Sequence, residues 1–187
     1  MERIIHQLLP LAPGESPVGE VNDFTARTRD FVLVVLLLTP LQAAGEEYLF
    51  RGYLTQAFGS LVWGRRASQA LAVVGPALIF ALFHGFSQDP PVFFDRFAFG
   101  VVAGILVIRT GGLEAAIAMH VLNNYLAFTL ARTFGDINET LTVTEVSWWN
   151  IPVTLTQSLV YAGLVAWVAG RRGLQRETRP PQPQPFW

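Results

Sequence analysis

The sequence has no cysteine and no lysine, and charged residues make up only 14% of its 187 residues. Without cysteine there is no disulfide framework, no thiolate nucleophile and no cysteine metal site, so any metal would need His, Asp or Glu. Soluble domains carry about 25% charged residues. The low charge, the 51% of hydrophobic residues and the mean hydropathy of +0.38 indicate an integral membrane protein whose surroundings are a lipid bilayer.

The net charge and the first residues argue against two further features, nucleic-acid binding and a signal peptide. The net charge is −1, which offers no basic surface for nucleic acid, so no nucleic-acid partner is expected. The first twenty residues lack an apolar core followed by a small-residue cleavage site, so a signal peptide is not expected. A composition in which every basic residue is arginine is typical of a bacterial chain, and we expect the plasma membrane as its location.

Apolar segments predict an all-α fold, a polytopic transmembrane bundle of about five helices with a polar cavity inside the membrane. The segments span residues 28–58, 67–86, 92–108, 113–133 and 148–169. The first exceeds the roughly 20 residues that cross a bilayer. It is therefore either one tilted helix or two pieces hinged near Pro40 or Gly45. An aromatic anchor at the membrane interface, Trp148-Trp149, is expected to start the fifth segment.

Three regions follow from these segments. Residues 1–27 are a lead-in, either interfacial or the remnant of N-terminal helices that are missing. Residues 28–170 form the membrane domain. Residues 171–187 are predicted to be a basic, proline-rich and disordered tail.

Arginines predict the orientation of the chain. Arg65 and Arg66 follow the first segment, Arg109 follows the third, and four more arginines lie at residues 171–179. The positive-inside rule places these loops and the C-terminal tail in the cytoplasm. Arg27 and Arg29 precede the first segment and oppose this assignment, so the orientation of the N-terminus stays open.

Three charged residues, Glu46, Glu47 and Arg51, lie in the middle of the first segment. Each charge at that depth costs about 2.5–3.5 kcal/mol, so it is expected to be paired or used. Glu47 and Arg51 are four residues apart and can form an ion pair along one helix face. Glu46, about 100° around the helix, then remains as a candidate general base. The alternative is that all three charges form a purely structural cluster.

Two later segments carry polar side chains at helical spacing, Phe80-x-x-x-His84 and His120-x-x-x-Asn124. His84 is either an interfacial residue, a partner of Glu46 in orienting a water, or a metal ligand. His120 and Asn124 can donate hydrogen bonds to a developing oxyanion. Alternatively, they hold helices together through hydrogen bonds worth about 1 kcal/mol each.

Taken in order, EExxxR, FxxxH and HxxxN resemble the CPBP family (CAAX protease and bacteriocin processing, or Abi) of intramembrane proteases, which includes type II CAAX prenyl endopeptidase. The resemblance covers about residues 28–170. It implies that Glu46 activates a water with the help of His84, and that His120 and Asn124 hold the oxyanion. It further implies that three residues support the site: Glu47, Arg51 and Phe80.

The family is often described as metalloproteases, so zinc held by Glu46, His84 and His120 stays open. We expect no obligatory metal, because the chain has no HExxH and Asn is a poor zinc ligand. The predicted function is an intramembrane endopeptidase acting on a peptide or membrane-protein substrate. The alternative is a non-catalytic membrane protein that acts in bacteriocin immunity or as a scaffold. A third hypothesis, an ion carrier, lacks a second acidic helix or a repeat pair.

Overall fold

The computed structural model describes residues 23–134, 148 and 151–174, and these residues form helices joined by short turns. Helix α1 (Ala26–Glu47) passes without a break into a π-helical segment (Tyr48–Leu54) and then into the short helix α2 (Thr55–Gly59). Four more helices follow: α3 (Arg65–Phe83), α4 (Pro90–Thr110), α5 (Glu114–Phe134) and α6 (Ile151–Arg172). Each predicted segment corresponds to one helical run, which confirms the all-α class.

Four helical runs among the described residues are long and apolar enough to cross a membrane: Ala26–Gly59, α3, α4 and α6. The first has 34 residues. At 1.5 Å per residue it is about 51 Å long, more than the roughly 30 Å of hydrocarbon in a bilayer, so it must tilt or extend past the apolar layer. Helix α5 has a comparable 21 residues but carries His120, Asn123 and Asn124, which make it less apolar.

Of the two alternatives for the first segment, the structure shows one continuous helix, because α1 runs through both Pro40 and Gly45. The local irregularity lies later, where the helix widens into the π-helical segment directly after Glu47. Wider turns of this kind occur often at functional sites because they redirect side chains. Here the segment contains Arg51, the third residue of the predicted charged motif.

The ends of two helices, α3 and α6, differ from the predicted segment ends. Helix α3 ends at Phe83 instead of residue 86, because Gly85 takes a φ of +123° that a helix cannot continue. Helix α6 continues to Arg172, two residues into the predicted tail. Trp148 is exposed, whereas Trp149, the lead-in up to residue 22 and the tail from residue 175 lie outside the described residues.

The hydrophobic core lies where the π-helical segment, α3, α4 and α5 meet, and its largest members include Phe50, Phe80 and Leu106. Glycines allow α4 to approach α3 closely. A Cβ atom added at Gly100 would lie 2.9 Å from Ala77 Cβ, and one at Gly104 would lie 3.2 Å from Val73 Cγ1. These two glycines, spaced as G-x-x-x-G, therefore make a close helix contact.

We expect Gly100→Ala to lower the free energy of unfolding by about 1–3 kcal/mol, because the added methyl meets both the Cα and Cβ atoms of Ala77. Gly163→Ala is the matched control, since a Cβ there has nothing within 4 Å and helix propensity favours Ala by about 0.5–1 kcal/mol. Denaturation in mixed detergent micelles measures both. Equal stability of the two variants would contradict the close approach of α3 and α4.

Candidate functional site

A fully buried carboxylate, Glu47, joins two of the predicted motifs. Its Oε1 accepts a hydrogen bond from Arg51 Nη1 at 2.8 Å, which confirms the ion pair expected from their spacing. The same oxygen lies 2.9 Å from His120 Nδ1 on α5. Because Oε1 already accepts from a guanidinium, which can only donate, we assign the hydrogen of the second bond to Nδ1 of His120. In a neutral ring this leaves Nε2 of His120 as the acceptor.

Phe80 is the aromatic residue that all three motifs share as a neighbour. The guanidinium carbon of Arg51 lies 4.4 Å from the centre of the Phe80 ring, a cation–π contact in a dry environment. The centre of the His84 ring is 4.5 Å from that of Phe80, and the centre of the His120 ring is 5.9 Å away. Phe80 therefore does more than pack in the core, because it sets the spacing between the ion pair and both histidines.

Glu46 lies on a different side of the helix from Glu47 and its side chain is 24% exposed. Its Oε1 accepts a hydrogen bond from Gln42 Nε2 at 3.0 Å, and its Oε2 lies 3.8 Å from His120 Nε2. A pocket of about 290 Å³ opens beside it. The residues that line this pocket are Gln42, Gly45, Glu46, Leu49, Phe50, Phe83 and His84. The two side chains predicted to activate a water therefore line the same pocket.

His84 stands at the end of α3, where its ring is held by its own helix. Nδ1 lies 2.7 Å from the backbone carbonyl oxygen of Phe80. A carbonyl can only accept, so Nδ1 carries the hydrogen and Nε2 is the free acceptor. Desolvation by its neighbours lowers the pKa of His84 below its ordinary value, since burial disfavours the imidazolium. At neutral pH the ring is therefore a neutral acceptor.

Asn124 is a predicted site residue that takes no part in the hydrogen bonds joining Arg51, Glu47 and His120. It lies one turn after His120 on α5 and is partly buried. Its side chain makes no hydrogen bond to any residue within the described ranges. Its place near the site follows only from the helical spacing that puts it on the same face as His120.

Three buried polar atoms in this cluster have no hydrogen-bond partner among the described residues: Glu46 Oε2, Glu47 Oε2 and Arg51 Nη2. A buried polar group without a partner costs about 1–3 kcal/mol. Such a group is usually paired with an ordered water or a ligand. Of the three residues, Glu46 is the one whose side chain lines the pocket.

The donor atoms do not fit the zinc site that the sequence left open. Within the described part of the chain, no three His, Asp or Glu residues are arranged to hold a metal ion. Nδ1 of each histidine is bonded, in His84 to a carbonyl and in His120 to Glu47, which leaves Nε2 as the ring atom that a metal would take. Glu46, His84 and His120 nevertheless do not form such a metal-binding group among the described residues.

Two side chains that contact the site were not singled out from the sequence. Gln42 precedes Glu46 by four residues, so the helical spacing already placed it beside that carboxylate. Phe99 on α4 packs edge-on against the His120 ring, with ring centres 5.2 Å apart. Its sequence neighbourhood is uniformly apolar, so no pattern distinguished it from any other core phenylalanine.

Comparisons with known proteins bear on the same residues. A family model described as type II CAAX prenyl endopeptidase, Rce1-like, matches residues 28–126, which contain all three motifs. An uncharacterised protein of Bacillus subtilis strain 168, YyaK, is 30% identical over 142 residues, which cover 71% of this chain and 46% of that protein. The chain thus spans about half the length of this curated relative. No solved structure matches it.

We expect Arg51→Leu to lower the free energy of unfolding by about 3–5 kcal/mol, because it leaves the buried Glu47 carboxylate without its cation. Arg29→Leu is the matched control. Arg29 forms an ion pair with Asp30 whose side chains are more than 60% exposed, and such pairs contribute less than about 1 kcal/mol. If denaturation shows equally small losses for both variants, the Glu47–Arg51 pair is not what holds this part of the fold together.

Proposed function

This chain belongs to the type II CAAX prenyl endopeptidase Rce1-like family, and from that premise we propose that it is an intramembrane endopeptidase that hydrolyses peptide bonds. It is an integral membrane protein with several apolar helices. The observation that carries the proposal is the pocket shared by Glu46 and His84, with His120 Nε2 only 3.8 Å from Glu46 Oε2. A carboxylate, an imidazole and an amide, those of Glu46, His84 and Gln42, thus line one pocket.

The first step is the activation of water in the pocket. Glu46 Oε2 is buried and has no protein partner among the described residues, so it can accept a hydrogen bond from a water. The neutral His84 ring accepts a second one through Nε2. As the water oxygen attacks the carbonyl carbon of the substrate, Glu46 takes its proton and later delivers it to the leaving amine. The water supplies the hydroxyl of one product and the hydrogen of the other.

The second step is the stabilisation of the oxyanion that forms on the substrate carbonyl. His120 can donate from Nε2 only as an imidazolium, because Glu47 already holds the Nδ1 hydrogen. The carboxylates of Glu46 and Glu47 lie on either side of the ring, 3.8 Å from Nε2 and 2.9 Å from Nδ1. The Asn124 amide is the second proposed donor. Donors that are fixed before the reaction in a dry site stabilise such charge more than donors in water do.

The other charged residues position these groups. Glu47 orients the His120 ring, and Arg51 holds Glu47 through its ion pair while it packs on Phe80. We further propose the bacterial plasma membrane as the location, with the C-terminal tail in the cytoplasm. Arginines at the start of α3 and at the ends of α4 and α6 support this orientation. The substrate class proposed is a peptide or a membrane protein.

We expect Glu46→Gln to reduce hydrolysis by at least about 100-fold, since a general base contributes roughly 10²–10⁴ in rate, while the nearly isosteric side chain leaves the fold intact. The measurement uses purified protein in lipid vesicles, a random-sequence peptide library and ¹⁸O-labelled water. Mass spectrometry counts new C-termini that carry one ¹⁸O atom.

Glu114→Gln is the control for this test, because Glu114 is an exposed glutamate at the start of α5. It is expected to hydrolyse peptides as the wild type does. Full activity in both Glu46→Gln and His120→Ala would rule out the proposed mechanism. If the wild type itself incorporated no ¹⁸O, the alternative function, a non-catalytic role in bacteriocin immunity or scaffolding, would be favoured.

A further inference from the structure

The turn after α3 decides where the His84 ring points. His84 is the C-terminal cap of the helix, and Gly85 follows with a φ of +123°. The side chain of His84 is tied to its own helix by the hydrogen bond from the ring to the Phe80 carbonyl and by the contact between the two rings. The position of the ring relative to Glu46 therefore depends on what holds this turn in place, and none of the three motifs includes such a residue.

Gln88 holds the turn from within the loop. Its Nε2 donates hydrogen bonds to two backbone carbonyls, Ala81 O and Gly85 O, both at 2.7 Å. The last carbonyls of a helix have no donor in the helix itself, so the Gln88 amide takes the place of the missing backbone donors. The two carbonyls lie on either side of His84 in the sequence, and the bonds therefore enclose it.

Arg96 connects this turn to the next helix. Its Nη1 donates to Gln88 Oε1 at 2.6 Å and reaches the His84 carbonyl oxygen at 3.4 Å. Arg96 lies in α4, and its neighbour Asp95 accepts a hydrogen bond from Thr154 Oγ1 of α6. The turn that carries His84 is thereby fixed to two helices of the bundle and does not depend on α3 alone.

We infer that Gln88 is a positioning residue for His84, and that Arg96 holds Gln88 in place. The chemistry requires an amide at residue 88, because one end must donate to carbonyls and the other must accept from a guanidinium. A glutamate would keep the bond from Arg96 but lose both bonds to the carbonyls. The effect on His84 geometry stands by itself, whereas the effect on hydrolysis rests on the proposed function.

The first test observes His84 directly. The chain has only three histidines, His6, His84 and His120, so ¹⁵N-histidine labelling gives few signals. In the wild type we expect His84 to carry its hydrogen on Nδ1 and to titrate below the ordinary range. In Gln88→Glu and Gln88→Ala we expect a mixture of tautomers and a higher titration midpoint, with His120 unchanged.

Gln56→Ala is the matched control, because Gln56 is an exposed glutamine on α2 with no hydrogen bond to a described residue through its side chain. It should leave His84 as in the wild type. An unchanged His84 signal in Gln88→Glu would overturn the inference, even if Gln88→Ala failed to fold. A signal that moves in Gln56→Ala as much as in Gln88→Glu would overturn it as well.

The second test is kinetic and uses a peptide that the wild type cleaves from the random library. We expect Gln88→Glu and Arg96→Gln to lower kcat by about tenfold or more, because a small misplacement of a catalytic group costs up to about 100-fold. KM should stay within about twofold. A change in KM with no change in kcat would contradict a role of Gln88 that acts through His84. A wild type that cleaves no peptide would reject the proposed function and leave the NMR result on Gln88 standing.

Discussion

The rest of the structure depends on one buried oxygen atom, Oε1 of Glu47. It accepts from the Arg51 guanidinium and from the His120 ring, and so it binds two helices together at a depth where water is scarce. Burying a charge costs several kcal/mol unless a partner with good geometry compensates. The chain carries this cost for two charges in one motif, and each keeps one buried atom, Glu47 Oε2 and Arg51 Nη2, without a hydrogen-bond partner among the described residues.

Around the Glu47–Arg51 ion pair, apolar side chains set the distances between the polar groups. Phe80 lies between Arg51 and the two histidines. The small Gly100 lets α4 approach α3 closely, and the neighbouring Phe99 packs edge-on against the His120 ring. Packing in this bundle thus has a functional consequence, because helix–helix distance sets the separation of polar atoms. A larger residue at the helix contact would move the rings even where it does not touch them.

Adjacent residues of the same type have acquired different environments. Glu47 is fully buried and bonded to Arg51 and His120, whereas Glu46 is partly exposed and lines a pocket. Two carboxylates that differ in this way can take different roles. The carboxylate that is bonded to a guanidinium and a histidine suits support, and the carboxylate that lines the pocket suits reaction with water. The two histidines also differ in their environments. Nδ1 of His120 is bonded to Glu47, and Nδ1 of His84 is bonded to a backbone carbonyl.

The sequence by itself determined the helical class, the approximate helix bounds, and the ion pair, because hydrophobic runs and i, i+4 spacing are local properties of a chain. The order of the three motifs was also enough to identify the family. Only the tertiary structure decided that Glu47 holds His120, that Phe80 links the motifs, and that Gln88 and Arg96 brace the turn at His84. These contacts join residues on different helices or across a turn, where neither hydrophobic period nor charge pattern specifies a partner. They arise from how the helices pack.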